Sequence, residues 1–195
     1  MKDLCTPDNR NISFNITLDD IRNALYNTAV SKKVPDKIKT MIEFAQKIFL
    51  YSFFEYDFYT LAMIYLALLT ETAIKERFLM ELPQEIELIK KGKIEKINRN
   101  YASLFDHLAA NWKLKDIKEI NKSLKSIMDW LFKQITVPER FSPFKLEMLR
   151  IIRNISAHLV SKEIYPPSIA LRFHDQTIDF INCLFEKNGS EEKEE

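Results

Sequence analysis

The sequence predicts an all-α protein, and three observations carry that reading. Glycine occurs twice and proline seven times in 195 residues, whereas sheet proteins spend both freely on tight turns. Apolar residues recur at helical spacing along most of the chain. Between the periodic segments stand a few prolines and polar clusters, which punctuate helices joined by short connections. Hydrophobic residues make up 46% and charged residues 29%, enough for a real core, and the length fits one domain.

Residues 1–16 are polar and Asn-rich without a sustained period, and read as an N-terminal arm or a disordered lead. The domain is expected over 17–188. Thr17 followed by Asp20 has the spacing of a helix N-terminal box, with Leu18, Ile21, Leu25 and Ala29 on one face. Pro35 opens a second helix whose apolar face holds Ile38, Ile42, Ala45, Ile48 and Phe49. A third runs from after Asp57 to about Met80, where Pro83 ends it. It is apolar nearly all round, so it should be central to a bundle or lie against a second subunit.

The stretch "KKGKIEKINRN" at 90–100 is strongly basic, contains Gly92, and reads as a turn and exposed connection. A short helix is expected over 101–112. A longer one is expected over 116–135, with Ile117, Ile120, Leu124, Ile127, Met128 and Leu131 inward. Pro138 and Pro143 bracket a loop, and Ser142 caps the next helix. Pro166 and Pro167 begin the last one, which carries Ile169, Leu171, Phe173, Ile178, Ile181 and Leu184. The acidic tail 189–195 is expected to be solvated and mobile.

The formal net charge of +1 gives no global field for nucleic acid, although a local basic cleft would suffice to hold phosphates. Cys5 and Cys183 stand far apart without CxxC or His-rich spacing, so neither zinc nor a disulfide framework is indicated. That fits a reducing cytoplasm. The N-terminus has no apolar signal core. The apolar run at 58–69 spans about a dozen residues where a membrane crossing needs roughly 20, so no membrane association is expected.

One stretch concentrates chemistry. In "LRIIRNISAHLV", 149–160, steps of ~100° per residue put Phe144, Met148, Ile151, Ile152, Ile155 and Leu159 on one arc. Arg150, Arg153, Asn154, Ala157 and His158 take the other. Asn154 and His158, four apart, are neighbours on the helix surface. A histidine can exchange a proton near neutral pH. An arginine offers a charged fork shaped for phosphate oxygens, and an asparagine can orient a hydroxyl without adding charge. No carboxylate cluster accompanies them, so a metal is not the obvious catalyst. The set suits metal-free phosphodiester transfer, with RNA supplying its own 2′-hydroxyl nucleophile. Taken alone, an Arg and a His at this spacing also describe an ordinary solvated helix face.

The longer segment "SIMDWLFKQITVPERFSPFKLEMLRIIRNISAHLV" resembles the C-terminal half of HEPN domains, and "FYTLAMIYLALLTETAIKERF" resembles their long small-residue-rich helix. The resemblance covers about residues 36–185, and its specific part is Arg153-Asn154, three residues, then His158. It implies an up-and-down bundle of four to five main helices, with the N-terminal helix as an addition. It also implies a homodimer whose two motifs share one cleft, and a cytoplasmic, cofactor-free endoribonuclease of toxin–antitoxin or antiviral defence systems. Carried over, His158 is the general acid/base, Arg153 the phosphate stabiliser and Asn154 the orienting group. Arg150 and Lys162 flank the motif where they could hold RNA phosphates. A branch paired with nucleotidyltransferase antitoxins has Tyr two residues after the histidine, where this chain has Val160. Some members are inactive and bind a partner protein or nucleotide instead, which is the alternative reading.

Other groups read more plainly. His107 and His174 lack partners at fitting spacing and suit structural or surface roles. Glu71 and Glu76 interrupt an apolar helix, where an exposed helix face suits them better than a cleft in which they would pair with Arg153. Lys90, Lys91, Lys93 and Lys96 could follow an RNA backbone, although such runs are commonly just solvated. The aromatics from Tyr51 to Tyr59 suit a core or a dimer contact better than base stacking.

Overall fold

The structure is a computed structural model and describes residues 6–117, 119–121, 123–135, 137–141 and 165–186. Its helices are α1 (Asn9–Ser13), α2 (Leu18–Tyr26), α3 (Asp36–Tyr51), α4 (Phe58–Glu81), α5 (Tyr101–Ala109), α6 (Leu124–Gln134) and α7 (Pro167–Phe185). Strands β1 (Glu85–Lys90) and β2 (Lys93–Asn98) follow α4, and β3 (Lys113–Leu114) follows α5. The protein is therefore mostly helical but not all-α. Its described residues gather into two compact units, one taken from 6–70 and 139–186, the other from 71–138.

Helix α4 contributes residues to both units. Tyr59, Ala62, Met63, Leu66, Ala67 and Leu69 are buried in its first half, and Ala73, Ile74 and Phe78 in its second. Among the described residues it is the helix long and apolar enough to cross a membrane, with a mean hydropathy of 1.2, yet half of that apolar window is buried by the protein itself.

In the first unit, Thr17 caps α2 reciprocally with Asp20: the hydroxyl accepts from Asp20 N at 3.1 Å and the carboxylate accepts from Thr17 N at 2.9 Å. Ile38, Ile42, Ala45, Ile48 and Phe49 of α3 turn inward as their spacing predicts. Helix α7 buries Ala170, Phe173, Ile178, Ile181 and Leu184, while Ile169 stays exposed. Phe180 meets Phe141 edge-on at 5.5 Å. Asn182 accepts from Ser31 N and donates to Ala29 O, both at 2.8 Å, fastening the loop between α2 and α3.

The N-terminal arm departs from expectation, because α1 lies within it. Asp8 caps α1 through Arg10 N at 2.9 Å, and the buried Asn11 donates to Ser52 O at 2.8 Å and Phe53 O at 3.0 Å. The Arg10 guanidinium meets Asp8 at 3.0 Å, Asp57 at 2.8 Å and Glu55 at 3.4 Å, and lies 4.6 Å from the centre of the Tyr56 ring. Hydrogen bonds that it donates to Asp8 and Asp57 hold its pKa above the ordinary arginine value, against a smaller opposing effect of burial. Apart from Asp8, these partners lie more than forty residues away, so local periodicity carries no trace of them.

The second unit holds an antiparallel sheet in the order β2-β1-β3, where the sequence suggested only an exposed connection. Ile86 and Leu88 of β1 alternate inward with Glu85 and Glu87 outward. Lys91 (φ 48°) and Gly92 (φ 79°) form the two-residue turn, in the left-handed conformations that twist-matched hairpins require. A single glycine thus served the hairpin, and glycine scarcity did not exclude a sheet. On the outer face Lys96 bridges Glu85 (2.9 Å) and Glu87 (3.3 Å), and Lys115 pairs with Glu87 from the other side.

Helix α6 begins at Leu124, not near 116, because local side chains stop it. Ser123 accepts from Ser126 N at 3.2 Å, and Asn121 Oδ1 accepts from Ser123 N at 2.8 Å. Ile120 is buried from outside the helix. Phe78 packs against Trp130 at 5.3 Å, and Arg99 closes the end of α4 by donating to Leu82 O at 2.9 Å and Met80 O at 3.3 Å.

Two stability measurements check these assignments. A Cβ at Gly92 would have nothing within 4 Å, so Gly92→Ala should cost only its backbone conformation, about 1 kcal/mol by urea denaturation. Asn11→Ala removes the side-chain donor shared by Ser52 O and Phe53 O, of which Phe53 O keeps only Asp8 N, and should cost about 1–3 kcal/mol in the same assay.

Candidate functional site

Arg150, Arg153, Asn154, His158 and Lys162 lie outside the described residues, as does the cap expected at Ser142. The described residues gather a different polar site, at the turn end of the hairpin.

Antiparallel pairing sets Lys90 opposite Lys93, and β3 brings Lys113 opposite Ile89. Ile89, Lys90, Lys91, Gly92, Asn111 and Lys113 line an open cavity of about 570 Å³. Lys90 is held in place, its ammonium donating to Ala110 O at 2.6 Å and lying 5.9 Å from the centre of the Trp112 ring. Trp112 meets the ring of His107 edge-on at 5.7 Å. Lys91, Lys93 and Lys113 are exposed and form no ion pair among the described residues. The nearby carboxylates are engaged elsewhere: Glu85 and Glu87 by Lys96 and Lys115, Glu95 by His107 at 3.2 Å. Of the four lysines in the basic run, three remain at this end, while Lys96 is neutralised on the outer face. Sequence reasoning missed Lys113 and Asn111, whose placement depends on β3. At two residues, β3 is too short to show an alternating pattern. Asn111 adopts φ 64°, a conformation asparagine tolerates.

The remaining candidates are structural. His107 donates from Nδ1 to Ser103 O at 2.6 Å and turns Nε2 to Glu95, so its ring joins α5 to β2. Glu71 pairs with Lys75 at 2.5 Å and is half-buried instead of lying on an exposed face. Tyr56 and Tyr59 are buried and edge-on at 5.3 Å, as a core reading requires, while Tyr51 is exposed. Tyr51 lines a groove of about 330 Å³ with Leu18, Arg22, Lys47, Leu50 and Phe54.

His174 is the most constrained titratable group. It is fully buried, edge-on to Phe49 at 5.6 Å, with Nδ1 3.1 Å from Asp175 Oδ1. Its Nε2 and the neighbouring Thr177 hydroxyl have no hydrogen-bond partner among the described residues. Burial pushes its pKa below the ordinary imidazole value, and Asp175 only partly opposes the shift. Among the described residues no group of three or more His, Cys, Asp or Glu side chains is arranged to hold a metal. No protein-family model, curated protein or solved structure matches the chain.

The His174 shift fixes a pH dependence. Below about pH 6.5 an unfolded imidazole takes up a proton that the buried one resists. Its contribution is therefore whole above that pH and is lost as the pH falls toward the lower folded value. Urea unfolding at pH 7.5 and pH 5.5 should show wild type losing stability on acidification, and His174→Gln losing less.

Proposed function

We propose that this protein is a metal-independent endoribonuclease of the HEPN type, acting on single-stranded RNA as a cytoplasmic homodimer in a toxin–antitoxin or defence system. The observation that carries the reading is the set Arg153-Asn154, three residues, His158 on a helix-periodic stretch. In the proposed reaction the His158 imidazole removes the proton of a ribose 2′-hydroxyl. The freed oxygen attacks the adjacent phosphorus, the bond to the 5′-oxygen breaks, and that oxygen leaves with a proton returned by an imidazolium. The products are a cyclic phosphate and a 5′-hydroxyl. The Arg153 guanidinium bears the charge that builds on the phosphoryl oxygens, Asn154 orients the ribose, and Arg150 and Lys162 hold flanking phosphates. Each chain supplies one such histidine and one such arginine, so a symmetric dimer would double both within one groove.

The second reading, a non-catalytic module that binds a partner protein or nucleotide, uses the same residues without turnover. Incubating the purified protein with unstructured RNA in EDTA separates the two. The nuclease reading expects cyclic-phosphate ends, with His158→Ala slower by roughly 10²–10⁴-fold. Intact RNA from a pure dimer, or cleavage unchanged in His158→Ala, overturns it. Saturable binding without cleavage, altered in Arg153→Ala, would instead establish the binding module.

A further inference from the structure

We infer that the turn end of the β1–β2 hairpin, with β3, is a binding surface for single-stranded RNA, engaging its phosphates through Lys90, Lys91, Lys93 and Lys113. The chain as a whole is almost neutral, so a field of one sign arises only where cations gather without counter-charges. Here they do: Lys90, Lys91 and Lys113 line a cavity of about 570 Å³, with no carboxylate among the described residues of its lining, and Lys93 stands beside it, paired across the strands with Lys90. Lysines matched to carboxylates would give no such field. This unit shows both arrangements side by side, since Lys96 and Lys115 of the same sheet are matched to Glu85 and Glu87.

The site is also shaped. The two-residue turn fixes Lys90 and Lys93 as a cross-strand pair, whose Cβ atoms stand about 5 Å apart in such pairs. The carbonyl of Ala110 and the Trp112 ring hold the Lys90 ammonium toward one wall. Lys113 enters from β3 on the opposite side of β1 from Lys93. Asn111 adds an amide beside them, able to donate to a phosphate oxygen or a ribose hydroxyl. Cations on three short segments suit successive phosphates of a strand better than one compact anion. Phosphate contacts of this kind position a strand without reading its sequence.

The phosphate chemistry stands on the hairpin alone, while the choice of RNA over DNA rests on the ribonuclease reading. The test uses full-length protein carrying His158→Ala and a fluorescein-labelled 12-nucleotide oligouridylate, followed by anisotropy between 50 and 200 mM salt. Binding should weaken with salt. Adding Lys91→Gln and Lys113→Gln should weaken it at least tenfold at the lower salt. It should also reduce the log–log salt slope by about 1.4, since each phosphate contact to a single strand contributes roughly 0.7. The exposed pair Lys33→Gln and Lys47→Gln should change neither by more than twofold.

An unchanged affinity or slope in the Lys91/Lys113 variant overturns the inference. So does equal competition by uridine monophosphate at matched phosphate concentration, which would mark a small-anion site. Equal competition by an acidic peptide of twelve glutamates would mark a protein-binding surface and overturn it as well. Tighter binding of the matching DNA strand keeps the phosphate site but refutes RNA as its ligand. Cleavage is scored separately with His158 intact. Lysine-dependent binding without cleavage removes the nuclease proposal and leaves this surface standing, and cleavage without lysine-dependent binding does the reverse.

Discussion

Helix α4 is the constraint on which the structure depends. A helix this apolar has little to give to water, so other elements must cover most of it, and Leu61 and Leu68 are left exposed on one strip. Its first half buries Tyr59, Met63 and Leu66, and its second buries Ile74 and Phe78. The helices of the first unit therefore bring large apolar side chains: Phe49 on α3 meets Tyr59 edge-on at 6.3 Å. In the second unit Phe78 is flanked by Trp130 and Phe105, at 5.3 and 6.5 Å. Truncating a buried residue of this helix would cost about 2–5 kcal/mol, a large share of the stability of an ordinary domain.

Much of this was legible in the residues. Helices α2, α3 and α7 begin where Thr17, Pro35 and Pro167 mark them, because capping and proline chemistry act within one turn of the chain. What the sequence hid was non-local or very short. The sheet escaped notice because it is a single hairpin whose turn needs one glycine, joined by a β3 of two residues, so composition was silent about it. The start of α6 was misplaced because Asn121 and Ser123 compete with the helix through their own side chains, while Ile120 stays buried without being helical. Helix α1 escaped because its anchors, Ser52, Phe53 and Asp57, are far away along the chain.

The candidate sites divide along the same line. The Arg153, Asn154 and His158 set is a pattern of residue types at helical spacing, so it can be read with no knowledge of tertiary structure. The basic hairpin end was half legible, since Lys90, Lys91 and Lys93 are contiguous. Its completion by Lys113, and the diversion of Lys96 to Glu85 and Glu87, depend on strand register. Register separates a lysine with a counter-charge from one without, and a run of letters cannot.

Asn182 shows what such local solutions allow. A carboxamide carries the same donor and acceptor pair as a peptide unit, and this one faces Ser31 N and Ala29 O as a neighbouring strand would. The segment from Ala29 to Ser31 thus obtains ladder-like bonding from a single side chain on a helix. Aspartate, though nearly the same shape, would keep the acceptor and place a second one against the Ala29 carbonyl. Asn182→Asp would therefore unfasten the α2–α3 loop while leaving the helix that carries it almost unchanged in shape.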